Sequence, residues 1–183
     1  MSDFELLPPP TDPMAVARHL VVDYQHADGL TLRHWRGVWL RWDRTCWVED
    51  EDRAVRSWLY ERLEHAEYWH DDPRVKIPEL RPWRPNRHKI ADVLDTLAAT
   101  THLSESVDPP AWLTRSLIPA GEVVACTNGL LHVGTRTLHK LTPRYFNRVA
   151  VPFDFDPTAP PPARWLEFLG QLWPDDPDSI PTL

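Results

Sequence analysis

Residues 123–157 read VVACTNGLLHVGTRTLHKLTPRYFNRVAVPFDFDP, and this stretch decides the fold. The apolar run at 123–126 meets Asn128-Gly129, a dipeptide that suits a two-residue hairpin because both positions tolerate positive φ. Residues 130–133 return from that turn, and Gly134-Thr135-Arg136 offers a second one. Residues 137–141 and 149–153 then read as further strands, so the spacing predicts an antiparallel meander. No Asp or Glu occurs from Val123 to Phe153, whereas Arg136, Lys140, Arg144 and Arg148 do. In a chain of net charge −7 this local clearing of acid predicts a sheet that is basic on one side.

Working outward, 183 residues make about one ordinary domain, long enough to bury a core without disulfides or metal. Cys46 and Cys126 lie in strand-like surroundings, and residues 1–10 do not resemble a secretory signal, which together predict buried thiols in a reducing cytoplasm. No apolar run approaches the roughly 18 residues of a membrane helix. Twenty prolines are about twice the usual share, yet ten tryptophans exclude a disordered reading, so the prolines punctuate a folded chain. The overall charge excludes a polyanion binder that uses its whole surface but leaves room for a local basic face.

Residues 1–10 end in three prolines and read as a flexible, extended lead that begins naturally at Met1, an expectation that places no primase segment upstream. Thr11 or Asp12 caps a first helix with Pro13 at its first position. Residues 32–48, with Trp35, Trp39, Trp42 and Trp47, read as a small meander turning at Arg36-Gly37 and Asp43-Arg44. Its tryptophans are expected to fill the core, with Trp35 left open as a platform for single-stranded bases. Residues 50–69 show helical spacing at Val55, Trp58, Leu59, Leu63, Ala66 and Trp69, and Glu49 to Asp52 suit the positive end of that helix. Prolines 73, 78, 82 and 85 predict a loop, Asn86 an N-cap, and Ile90, Val93, Leu94 and Leu97 the buried face of the next helix. Residues 102–119 read as a connector with a short helical piece near Trp112-Leu113. Pro162 starts a last helix with Trp165, Leu166, Phe168, Leu169, Leu172 and Trp173 on a wide apolar stripe, stopped by residues 174–177.

A second basic segment, Arg81-Pro82-Trp83-Arg84-Pro85-Asn86-Arg87-His88-Lys89, crowds cations at a helix start, where they oppose the macrodipole. Two readings stand: a phosphate bound at the helix start, or neutralisation by Glu61, Glu64 or Glu67 of the preceding helix. The predicted nucleic-acid contacts are therefore Arg81, Trp83, Arg84, Arg87, Lys89, Arg136, Lys140, Arg144 and Arg148. Asp154-Phe155-Asp156 places two carboxylates at i and i+2, the spacing of a two-metal nucleotidyl-transfer site, but no third carboxylate or triphosphate-binding motif accompanies it. Nine histidines show no i,i+4 ligand pair on a helix, and there is no CxxC, no GxxxxGK[ST] and no GxSxG. No catalytic or metal-binding residue is predicted, and no cofactor for this segment.

Asn128-Gly129-Leu130-Leu131, Thr137-Leu138, Thr142-Pro143, Phe146-Asn147 and the run from Val151 to Pro157 resemble the domain immediately N-terminal to the superfamily 3 helicase core in phage, plasmid and poxvirus-type primase-helicases. The likeness extends to the Trp-rich segment at 35–47 and to Trp165-Leu166, Leu169 and Trp173-Pro174. The resemblance implies an accessory domain at 11–174 that guides DNA or supports ring assembly ahead of an ATPase. It also implies a linker beginning at 175–183, and ATP and Mg for that ATPase rather than for these residues. The partners it implies are single-stranded or forked DNA, the helicase domain itself and further copies in a homo-oligomer. A protein-docking module and a small metal-dependent nucleotidyl enzyme are the alternatives. The expected fold is a single α+β domain, with short antiparallel strands in two meanders and three or four packed helices.

Overall fold

In the computed structural model, which describes residues 5–71 and 77–173, the first three helices close over one face of a small sheet. Helix α1 (Pro13–Leu20) starts where Asp12 Oδ1 accepts the Ala15 N–H at 3.0 Å and Pro13 needs no partner for its missing N–H. Helix α2 (Asp52–Leu63) buries Val55, Leu59 and Leu63 at four-residue spacing. Helix α3 (Arg87–Thr100) buries Ile90, Val93 and Leu97. After α1, a single 3₁₀ turn (Val21–Tyr24) leads into a two-stranded ribbon of β1 (Gln25–His26) and β2 (Gly29–Leu30).

Strands β3 (Leu32–Trp35), β4 (Val38–Trp42) and β5 (Trp47–Asp50) form the first meander. Arg36 and Gly37 take φ of 49° and 79°, the two positive values of a tight primed turn. Asp43 Oδ1 accepts the N–H groups of Thr45 and Cys46 to make the second turn. Side chains alternate across this sheet: Leu32 and Trp39 enter the helical core, whereas Trp35, Leu40 and Trp47 enter a second cluster with Phe146. Burying side chains of this size stabilises by about 1.5–3 kcal/mol each. The tryptophans are therefore structural, Trp35 included at 7% exposed.

The second meander joins β9 (Val123–Cys126), β10 (Gly129–His132) and β11 (Thr137–His139) in the order β11-β10-β9. Gly129 is required there, because an added Cβ would lie 2.7 Å from the His139 carbonyl. Strand β8 (Ala111–Trp112) pairs with β12 (Tyr145–Phe146). Successive residues of β12 serve different clusters: Phe146 the second, Tyr145 a third with Val123, Ala125 and Leu130. The Tyr145 hydroxyl donates to the Val123 carbonyl at 2.7 Å. Among the described residues no helix is long and apolar enough to cross a membrane. Cys126 is buried and Cys46 half-buried, and burial pushes both thiols up.

Among the described residues the fold is mixed α+β with two three-stranded meanders and four α-helices, in keeping with the expected α+β class, two meanders and three or four helices. Several particulars differ. Residues 5–10 are held, not loose: Leu7 is 4% exposed and Glu5 is ion-paired with Arg62. The helix expected over 50–69 stops at Leu63. Residues 67–70 instead form β6 (Glu67–His70), which pairs with β7 (Glu79–Pro82) where a proline loop was expected. Of the acidic block, Asp52 lies in the first turn of α2, whereas Asp50 meets Arg41 and Glu49 faces Arg148. Residues 149–153 add no regular strand, since Pro152 has no N–H for a ladder, although Val151 still donates to Ala125 at 2.8 Å. Trp112 lies in a strand rather than a helical piece. The last helix, α4 (Ala163–Leu172), buries Leu169 and leaves Trp165, Leu166, Phe168 and Leu172 exposed. The expected lead at 1–4, Pro73, the stop at 174–177 and the linker at 175–183 lie outside the described residues.

Candidate nucleic-acid interface

The nine basic and aromatic positions singled out in the sequence fall into separate groups. In the first group the chain engages Lys89 and Arg81 itself. Asn86 Oδ1 accepts the N–H groups of His88 at 3.0 Å and Lys89 at 3.1 Å, so the α3 start carries a side-chain cap where an anion was considered. The Lys89 ammonium bends back to the carbonyls of Trp83 at 2.6 Å and Arg84 at 3.0 Å. Burial, and then the neighbouring Arg84, lower its pKa. Trp83 is fully buried in the helical core and its indole N–H donates to the Pro8 carbonyl at 3.2 Å, which removes it as a stacking surface. Arg81 pairs with Glu79 at 2.8 Å across the β7 start, rather than with Glu61, Glu64 or Glu67. Arg84, held at φ 51°, and Arg87 are exposed.

The second group divides again. Arg136 sits at φ 54° in the turn before β11, exposed. Arg148 lies 3.6 Å from Glu49, with its guanidinium 6.0 Å from the Trp35 ring. Lys140 and Arg144 come together. They line a depression of about 330 Å³ with Asp28, Trp112, Thr114, Arg115, Ser116 and Thr142. It shares no residue with the depression beside Arg84 and Lys89, so the two basic segments line separate depressions.

Three cations face one carboxylate in this depression. Arg144 is oriented by the Asp28 carbonyl, to which its Nε donates at 2.7 Å, and by the Asp28 carboxylate at 3.6 Å. Lys140 and Arg115 make no side-chain hydrogen bond or ion pair among the described residues. The Thr142 hydroxyl accepts the Arg144 N–H at 3.3 Å and the Ser116 hydroxyl accepts the Ile118 N–H at 3.1 Å, which leaves each hydroxyl proton free to donate outward. Trp112 Nε1 is buried with no partner. Unpaired ammonium and guanidinium groups beside hydroxyl donors make a receptor for phosphate oxygens.

Trp112, Thr114, Arg115, Ser116 and Thr142 were missed in the sequence. A signal was present: residues 109–121 contain no Asp or Glu, and Arg115 stands between two hydroxyl residues. The β8–β12 pairing delivers that segment to Lys140 and Arg144.

The carboxylates of the FDFDP run are locally engaged. The Thr127 hydroxyl donates to Asp154, and Asp156 Oδ1 accepts both the hydroxyl and the N–H of Thr158, at 2.7 and 2.8 Å. Residues 154–156 are not in a strand, so the i,i+2 geometry that would aim both at one metal does not form. Among the described residues no group of three or more His, Cys, Asp or Glu side chains is placed to hold a metal ion.

No curated protein matches the chain. A family described as "D5 N terminal like" matches residues 17–174, a span that begins within α1 and takes in α2, α3, α4 and both meanders. The NGLL-to-FDFDP segment, the Trp-rich sheet and the last helix all lie inside that match, and the chain belongs to this family, the N-terminal domain of phage and poxvirus-type primase-helicases.

Proposed function

We propose that these residues form the accessory domain of a DNA primase-helicase of a phage or mobile element, working in the cytoplasm. There they hold DNA backbone phosphates ahead of the ATPase. The single observation that carries this reading is the depression in which Lys140 and Arg115 stand unpaired among the described residues beside the oriented Arg144. Such contacts position a strand without reading its sequence. No residue here is assigned a catalytic role; ATP and Mg belong to the helicase core that follows this domain in the family, since the phosphate-binding loop is absent from this sequence.

Fluorescence anisotropy with a labelled single strand at low salt tests the reading. Binding in the nonspecific range of roughly 10⁻⁴ to 10⁻⁶ M is expected, with the log-log salt slope falling by about 0.7–0.9 for each phosphate contact removed. The double variant Arg115→Glu with Lys140→Glu should abolish it. Unchanged binding in that variant would reject the site.

A second reading has its own support. The exposed stripe of α4, Trp165, Phe168 and Leu172, is apolar surface that suits docking to the protein's own helicase domain or ring assembly.

A further inference from the structure

A cleft that shares no residue with the basic depression runs along the outer edge of the second meander. It has a volume of about 320 Å³ and is lined by Pro109, Pro110, Val124, Val149 and Val151, with Arg148 as its single charged residue. That volume lies at the small end for a ligand pocket and suits one or two side chains rather than a large molecule. Val149 is 78% exposed and Val124 37%, so part of the apolar lining is open to solvent.

The main chain around this cleft holds donors without acceptors. The pairs Cys126–Gly129 and Val124–Leu131 exchange hydrogen bonds across a two-residue hairpin, which turns the main-chain groups of Val123 and Ala125 away from β10. The Val123 carbonyl takes the Tyr145 hydroxyl at 2.7 Å, and the Ala125 carbonyl takes the Val151 N–H at 2.8 Å. Among the described residues the N–H groups of Val123 and Ala125 find no acceptor, nor do those of Arg148, Val149 and Ala150, which line the same cleft. Buried main-chain donors rarely stay unpaired. Asn147 adds one acceptor: it is 5% exposed, its Nδ2 donates to the carbonyls of Thr45 and Val149, and its Oδ1 is left without a partner.

A ligand that completes this surface brings carbonyl oxygens, an N–H, an apolar side chain and a negative charge. An extended peptide supplies the first three, as in strand addition to an open sheet edge. A carboxylate side chain supplies the fourth. No carboxylate lines the cleft, and Arg148 has only Glu49 at 3.6 Å to set against an incoming one. We propose that the cleft docks an extended, acidic segment of a partner protein, laid along the outer edge of β9 and residues 148–150. One apolar side chain packs on Val124 and Val149, and one carboxylate meets Arg148. This docking is independent of the phosphate depression.

Three labelled pentapeptides, blocked at both ends, are titrated against the full chain by fluorescence anisotropy. The first is Thr-Val-Thr-Glu-Thr, whose Val and Glu face the same way in an extended chain. The others replace its Glu by Lys or its Val by Ser. The first is expected to bind about tenfold more tightly than either, the share of one buried side chain or one charge-assisted hydrogen bond. Arg148→Glu should reverse the preference in favour of the lysine peptide. Val149→Pro deletes an N–H that bonds nothing in the chain, so it should weaken binding roughly two- to tenfold at an unchanged urea midpoint. Arg115→Glu with Lys140→Glu should leave peptide binding as it was. Equal binding of the three peptides, or no binding of the first at about 1 mM, would overturn the proposal. So would affinities that neither Arg148→Glu nor Val149→Pro alters. Displacement of the peptide by an oligo(dT) strand in Arg115→Glu with Lys140→Glu, where the depression no longer competes, would give the cleft to nucleic acid instead.

Discussion

Arg33 is a half-buried cation with no ion partner among the described residues. It stands on β3 opposite Leu40, its Nε is buried with no partner, and burial lowers its pKa. A half-buried guanidinium without an ion partner is desolvated without recompense, so Arg33→Met should raise stability by about 1 kcal/mol, read as a higher urea midpoint at unchanged slope. Lys89 is the opposite case, since two carbonyls and the Trp83 ring satisfy it. Position in sequence did not separate these residues. Lys89 belongs to a conspicuous basic cluster and yet holds a loop together, whereas Arg115 sits alone in an unremarkable connector and lines the depression with Lys140 and Arg144.

At the scale of elements, caps and long periods were legible and short pairings were not. Asp12 and Asn86 marked two helix starts because a short side chain has a definite partner within three residues. Strand β6 was hidden because Ala66 and Trp69 continue the spacing of Leu59 and Leu63, so a helix period ran on past the point where pairing with β7 won. Strands β8 and β12 have two residues each, too few to show any period, and these strands bring Arg115 to Lys140 and Arg144. The acid-free run holds two of the three cations in the depression, Lys140 and Arg144. Helix α4 supplies a test of its own. Leu169 is 3% exposed and Leu172 lies on the open stripe, so Leu169→Ala should cost about 2–5 kcal/mol. Leu172→Glu should stay within about 0.5 kcal/mol of the parent in the same urea titration. A large loss from Leu172→Glu would mean that this stripe is covered in solution.

Across the whole molecule, acid should act in two stages. Burial and nearby His102 hold the His34 imidazole below the ordinary histidine value near 6.5. The unfolded chain therefore binds a proton first, and stability present above about pH 6.5 is lost as the pH falls through the folded value. Burial works to raise the Glu5 carboxyl, but hydrogen bonds from Arg62 and His19 outweigh it, and its pKa ends below 4.5. Its contribution is present above about pH 4.5 and is lost lower still. Thermal midpoints measured from neutral to acid pH should fall in both windows, and His34→Gln should flatten the upper one. Glu5 also belongs to a segment with a practical bearing. Leu7 is buried and Pro8 takes the indole hydrogen of Trp83, although the family match begins at residue 17. A protein trimmed to the matched residues would lose the Asp12 cap and uncover the Trp83 ring, and its exposed tryptophan would invite aggregation in any expression host. The smallest self-sufficient unit for production therefore begins at or before Glu5, where the pairing with Arg62 closes the edge of the core.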